Sequence, residues 1–301
     1  MHFLHSQLLI GSIFITASVQ TVSHVQQSPG ADITTCLTVQ KVPFIVKTSS
    51  NWTNYVKTFN LRLIYQPAVI TIPETPEQVS SSVICAAASN LKVQARGGGH
   101  SYASHPSGGR DGLPHGTCSG VGIAGHALHG GYGYASRNWG ITLDTIVGLD
   151  VVLANGTQVH TTATSYPDLF YAMRGAGESF GIVTCFYLQT QPAPSSVLFF
   201  SAYLAASLKN VDIVTSGFER LQNLSLTSPL ITPNITFGMY TDSGEAFSLS
   251  GWCMDCNAAV FSEVVLPAIL EGFPGRFPTS KPKDGSKDLQ ISQRLMQWSN
   301  L

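Results

Sequence analysis

From Thr75 to His100 the chain reads "TPEQVSSSVICAAASNLKVQARGGGH". This stretch limits the fold more than any other. Thr75 is placed to cap a helix, Pro76 suits its first turn, and Gln78 sits where a capping box closes. Asn90 can end that helix, and "LKVQA" then reads as a short strand. Helix and strand therefore lead into three glycines ending on a titratable ring. Glycine is costly to order, so such a run marks left-handed dihedrals or close backbone approach to a ligand. A phosphate-bearing ligand is one reading, because bare N–H groups can point at its oxygens. A surface turn is the other.

The 301 residues suffice for one large or two ordinary domains, and 44% are hydrophobic. Only 11% are charged and the formal net charge is −1. With no Lys/Arg run, nucleic acid and anionic membrane are excluded as expected partners. Leu8 to Val19 is an apolar run, too short to span a bilayer but of secretory h-region length, so residues 1–23 read as a signal peptide. Asn51, Asn155, Asn223 and Asn234 open N-x-S/T sequons, which fit a secreted, extracellular glycoprotein. Six cysteines in that setting invite disulfides without fixing their connectivity.

Further along, Asn155-Gly156 reads as a type I′ hairpin turn between two apolar runs. A short helix starts near Pro167 and the strand "GIVTCFYLQT" follows it. The Pro-rich 191–196 is the expected domain boundary. Beyond it the pattern gives strands at 198–203 and 235–240 and helices at 211–224 and 257–271, while the last thirty residues fit no closed domain.

Three motifs carry competing chemistries. "GVGIAG" (120–125) is a literal G-x-G-x-x-G with Asp144 downstream, but no buried strand precedes it, so a Rossmann site is not expected. Five histidines lie between His100 and His129, yet no carboxylate accompanies them at helical spacing, and no metal is expected. Cys253-x-x-Cys256 resembles a redox pair, but too little chain follows for a thioredoxin-like sheet, leaving a local disulfide or two ordinary thiols.

Four segments make sense together: "ARGGGHSY" (95–102), "HGTCSGVGIAGHALHGGYG" (115–133), "WGITLDTIVGLDVVLANG" (139–156) and "DLFYAMRGAGESFGIV" (168–183). In this order they resemble the flavin-binding domain of the PCMH-type, vanillyl-alcohol-oxidase superfamily oxidoreductases, in the berberine-bridge-enzyme-like and gluco-oligosaccharide-oxidase-like branch. The resemblance implies an α+β architecture. A two-lobed FAD-binding domain over 24–192 (core 61–192), its second lobe reduced, would precede a partial substrate domain of antiparallel strands and helices over 193–301.

It also implies FAD bound covalently twice, through the His100 ring and the Cys118 sulfur. Arg96, Gly97, Gly98, Gly99 and Ser101 would be cofactor contacts, as would Gly122, Gly125, His126, Gly175, Gly177, Phe180, Gly181 and Ile182. Cys36 and Cys85 match a family disulfide. Tyr102 matches a substrate-pocket tyrosine, its alternative being packing of the loop. The implied reaction is oxidation of an alcohol, such as a sugar's anomeric hydroxyl, with dioxygen as acceptor, by a monomer. The family departs from this chain in two ways. It inserts several tens of residues where Gly112 here runs almost directly into His115, and it supplies a tyrosine base in a Y-x-N segment with no counterpart here. No catalytic base is nominated. The alternative is a truncated, inactive FAD-binding or non-enzymatic secreted protein.

Overall fold

The computed structural model describes residues 3–7, 13–16, 32–56, 66–97, 111–116, 121–207, 211–241, 246–273 and 289–294. They divide into two compact units, the first over 1–105, 115–133 and 141–190, the second over 106–114, 134–140 and 191–301.

The first unit contains two antiparallel four-stranded sheets. One runs β3 (Phe44–Ile45), β4 (Val69–Thr71), β2 (Ile13–Thr16), β5 (Lys92–Ala95); the other runs β1 (Phe3–Gln7), β9 (Ile182–Gln189), β7 (Ile146–Val152), β8 (Gln158–Thr162). The segment expected as a removable leader therefore supplies two strands in the uncleaved chain, β1 at an edge and β2 between β4 and β5. Helices α1 (Ile33–Val39) and α3 (Pro76–Ala88) bury Ile33, Leu37, Val79 and Val83 with Val69 and Val152 in one core. A short helix, α2 (Trp52–Val56), follows β3.

Cys36 and Cys85 are bridged, tying α1 to α3 across a separation of 49 residues. Closing a loop of that size lowers unfolded-chain entropy by about 4 kcal/mol at room temperature. The start of α3 follows the sequence with one difference. Thr75 Oγ1 accepts from the Gln78 N–H at 3.3 Å, but Gln78 Oε1 accepts from Glu74 N–H at 2.7 Å rather than from the cap residue itself. Asn90, with φ 55°, turns the chain out of the helix.

The β7–β8 connection differs from the expected type I′ turn, which needs two residues with positive φ. Gly156 alone has it, at 80°, while Asn155 accepts the Thr157 N–H on its side chain, and the loop spans 153–157. Helix α6 (Pro167–Ala176) starts at the expected proline and kinks at Arg174 and Gly175.

In the second unit the sheet order is β12 (Ile235–Thr241), β13 (Ala246–Met254), β11 (Val197–Ser207), β14 (Leu289–Arg294), again antiparallel. Helix α7 (Val211–Thr227) and the run α8 (Ala258–Val260), a π turn (Phe261–Val265) and α9 (Leu266–Leu270) cover the sheet. Phe200, Leu249, Phe261 and Ile269 are fully buried in the resulting core. Arg220 of α7 donates to the carbonyls of Ala268 and Ile269, satisfying the open end of α9. β14 corrects the expectation that the last thirty residues join no domain. A two-residue ladder pairs β6 (Asp111–Gly112) with β10 (Gln191–Pro192), and α5 (Ser136–Trp139) completes the unit. Cys253 and Cys256 form a local disulfide.

Candidate functional site

Gly98, Gly99, His100, Ser101, Tyr102 and Cys118 lie outside the described residues, so the site is built from what flanks them. Arg96 leaves β5 and its guanidinium donates to the Tyr55 carbonyl, while burial pulls its pKa below the ordinary value. Next to it, a methyl group on Gly97 would lie 3.6 Å from Gly122 Cα. Gly97, just after β5, and Gly122, just before α4 (Ile123–Ala127), therefore meet backbone to backbone.

His126 of α4 anchors the chain on the other side of Cys118. Its Nε2 accepts the Gly116 N–H at 3.1 Å, which leaves the ring proton on Nδ1. The ring fills a space bounded by glycines. A methyl group on Gly116 would lie 3.1 Å from Cε1, and one on Gly131, already at φ 81°, would lie 2.7 Å from Cδ2. Burial, then the neighbouring His115, lowers the His126 pKa, so the neutral ring that accepts this bond is the favoured form. His115 Nδ1 in turn lies 2.7 Å from the Gly116 carbonyl. Gly131 is fixed by Thr142, whose N–H and hydroxyl both donate to its carbonyl, at 2.8 and 2.9 Å.

The second glycine loop follows the α6 kink. Gly175 has φ 145°, Gly177 is buried, Phe180 is exposed, and Gly181 leads into Ile182 at the start of β9. Its Gly177 carbonyl accepts from the Phe180 and Gly181 N–H groups.

Residues 104–162 match a family model whose description is FAD binding domain. The chain is 36% identical over 254 residues to a xylooligosaccharide oxidase of Thermothelomyces thermophilus, covering 69% of this chain and 51% of that protein. It is 36% identical over 235 residues to a chitooligosaccharide oxidase of Gibberella zeae, covering 64% and 46%. A solved glucooligosaccharide oxidase of Acremonium strictum, with 6-S-cysteinyl, 8α-N1-histidyl FAD, superposes with a TM-score of 0.70 at 26% identity, covering 87% of this chain and 60% of that one. In sequence and in fold the chain is similar to the PCMH-type FAD-linked oxidoreductases. It spans about half the length of the curated relatives it matches.

The residues present fit a flavin nucleotide of that family. Gly97 and Gly122 meet, and among the described residues the side-chain positions of Gly125 and Gly175 have nothing within 4 Å. Among the described residues no group of three His, Cys, Asp or Glu could hold a metal. His129 turns instead to Glu178, a residue that sequence reasoning did not single out.

A second polar cluster also went unread. Asp150 accepts from the Tyr187 hydroxyl at 2.9 Å and lies 2.6 Å from His160 Nδ1. Burial, followed by the Asp150 hydrogen bond, pushes the Tyr187 pKa up to about 12. Cys185 is a half-buried thiol outside the two disulfides, raised in pKa by burial and by Asp150. Of the sequons, Asn51, Asn155 and Asn223 are exposed. Asn234 is half-buried, its Oδ1 accepts from Asn138 Nδ2 at 2.8 Å, and Thr236 of the same sequon is buried.

Proposed function

We propose that this chain carries the flavin-holding part of a secreted FAD-dependent oxidoreductase acting on an oligosaccharide, with His100 and Cys118 as the two points of covalent attachment. The meeting of the two glycine loops at Gly97 and Gly122 carries this reading, because it brings the backbone flanking both attachment residues together. Bound FAD would supply a two-electron acceptor, the anomeric hydroxyl giving up its proton and the anomeric carbon a hydride, with dioxygen then reduced to peroxide.

The chain's own residues do the holding. Arg96, Gly97, Gly122, Gly175 and Gly177 would supply contacts to the nucleotide from the two glycine-rich segments. Neutral His126 fixes Gly116 and so the approach to Cys118. Tyr102 offers a ring face for a sugar. The Cys36–Cys85 bridge and the three exposed sequons support an oxidising, secretory route, with glycans at Asn51, Asn155 and Asn223. The protein is read as a monomer.

The near-direct junction of Gly112 to His115 favours a second reading, flavin binding without turnover. One preparation separates the two. Protein that stays yellow after acid precipitation and releases peroxide on a panel of oligosaccharides supports the enzyme. Yellow protein that releases none supports the second reading, and colourless protein defeats both.

A further inference from the structure

We propose that His129 and Glu178 form a cationic clasp that holds the second glycine loop, residues 175–181, against the end of α4. Its bearing on the cofactor rests on the flavin reading above; the clasp itself does not. Loop and helix end are in direct contact here, since a methyl group on Gly177 would come within 2.7 Å of Leu128 Cδ1. Beside that contact the His129 ring is engaged at both nitrogens. Nδ1 lies 3.3 Å from the Gly125 carbonyl and Nε2 lies 2.5 Å from Glu178 Oε2.

Both partners are acceptors. A neutral imidazole has one N–H and can serve only one of them, whereas the imidazolium donates to both at once. The geometry therefore selects the charged ring. Glu178 is the loop's single charged residue. The loop needs such a tie because the chain leaves helical geometry at Arg174 and Gly175 just before it.

Among the described residues, three neighbouring charged or titratable groups have partners of their own. His126 on α4 bonds Gly116, while Asp144 and Arg174 lie 4.0 Å from each other. Loss of the His129 proton removes the charge and one of its two hydrogen bonds, so the loop is held most tightly when the ring is charged. His129 and Glu178 are thus positioning residues that join two of the loops assigned to the flavin.

Amide hydrogen exchange over 175–181 in the full chain tests this. Wild type is compared with Glu178→Gln and His129→Gln at about pH 5 and about pH 8, either side of the ordinary histidine range. Comparison at one pH cancels the intrinsic exchange rate, and β9 (Ile182–Gln189) serves as the internal reference for intact folding. Near pH 5 the wild-type loop should exchange about two- to fivefold more slowly than either variant, the size expected of an exposed ion pair. Near pH 8 the gap should narrow. Equal rates at both pH values, or a difference as large near pH 8 as near pH 5, would overturn the clasp. Flavin absorbance on the same samples separates the two ideas: a colourless protein with the pH-dependent gap keeps the clasp and loses the flavin, and a yellow one without the gap does the reverse.

Discussion

In the second unit, side chains from Leu198 to Phe273 form one continuous apolar core between a four-stranded sheet and its helices. In the first unit the motif-bearing loops are held differently, by glycines in contact with side chains and by polar anchors. Gly116 donates to His126, Thr142 to Gly131, and His129 meets Glu178. The difference is physical. An apolar core answers to volume and tolerates exchange of one hydrocarbon for another of similar size. The cradle has no spare volume at Gly131 and Gly177, and its polar anchors respond to protons. Stability and cofactor geometry should therefore fail under different perturbations.

The largest effect should come from the core. Phe200 is fully buried, and Phe200→Ala should cost about 3–5 kcal/mol of stability, read as a lower urea midpoint. A loss under 1 kcal/mol would mean that this core is not what stabilises its unit. Gly131→Ala is the matching attack on the cradle. The added methyl group would meet His126 Cδ2 at 2.7 Å and Thr142 Oγ1 at 2.6 Å on a residue with φ 81°. Overpacking of this kind costs about 1–3 kcal/mol. Retained flavin should fall further than that loss of stability accounts for, and a variant that keeps its full yellow colour would blur the contrast.

The smallest effect is a titration. Tyr187, held protonated by burial and Asp150, should ionise near pH 12, later than an ordinary tyrosine. Its folded pKa lies above its unfolded one. The stability it contributes is therefore complete below about pH 10 and is lost as pH rises towards its folded value. A tyrosinate absorbance titration should show one late-titrating group among the ten tyrosines, absent in Tyr187→Phe. An unchanged titration in that variant would show that Asp150 does not hold the Tyr187 proton.

Much of this was legible because the signals are local. Thr75 and Pro76 announce a helix start by side-chain chemistry alone, and α3 begins there. Each motif carries its glycines and its reactive residue in one short run. The misses are register and context. A two-residue turn at Asn155-Gly156 would set Asp150 opposite Thr161, whereas the longer loop sets it opposite His160. That one-residue slip is what creates the Asp150–His160–Tyr187 cluster, and no local pattern reports it. β14 was unread because "LQISQR" is mostly polar and becomes a strand only by pairing with β11. No local pattern singles out Glu178, which the fold brings to His129. The apolar run near the N-terminus has the composition of a leader, and its pairing with β4 and β5 depends on partners far along the chain.

The attachment of one flavin at two points is tested most directly by intact mass under denaturing conditions. Wild type, His100→Ala, Cys118→Ser and the double variant are measured after enzymatic removal of glycans. Attachment at two points retains one flavin mass in the wild type and in each single variant, and none in the double variant. A wild-type mass that matches the bare polypeptide, or a double variant that keeps the flavin, would contradict it.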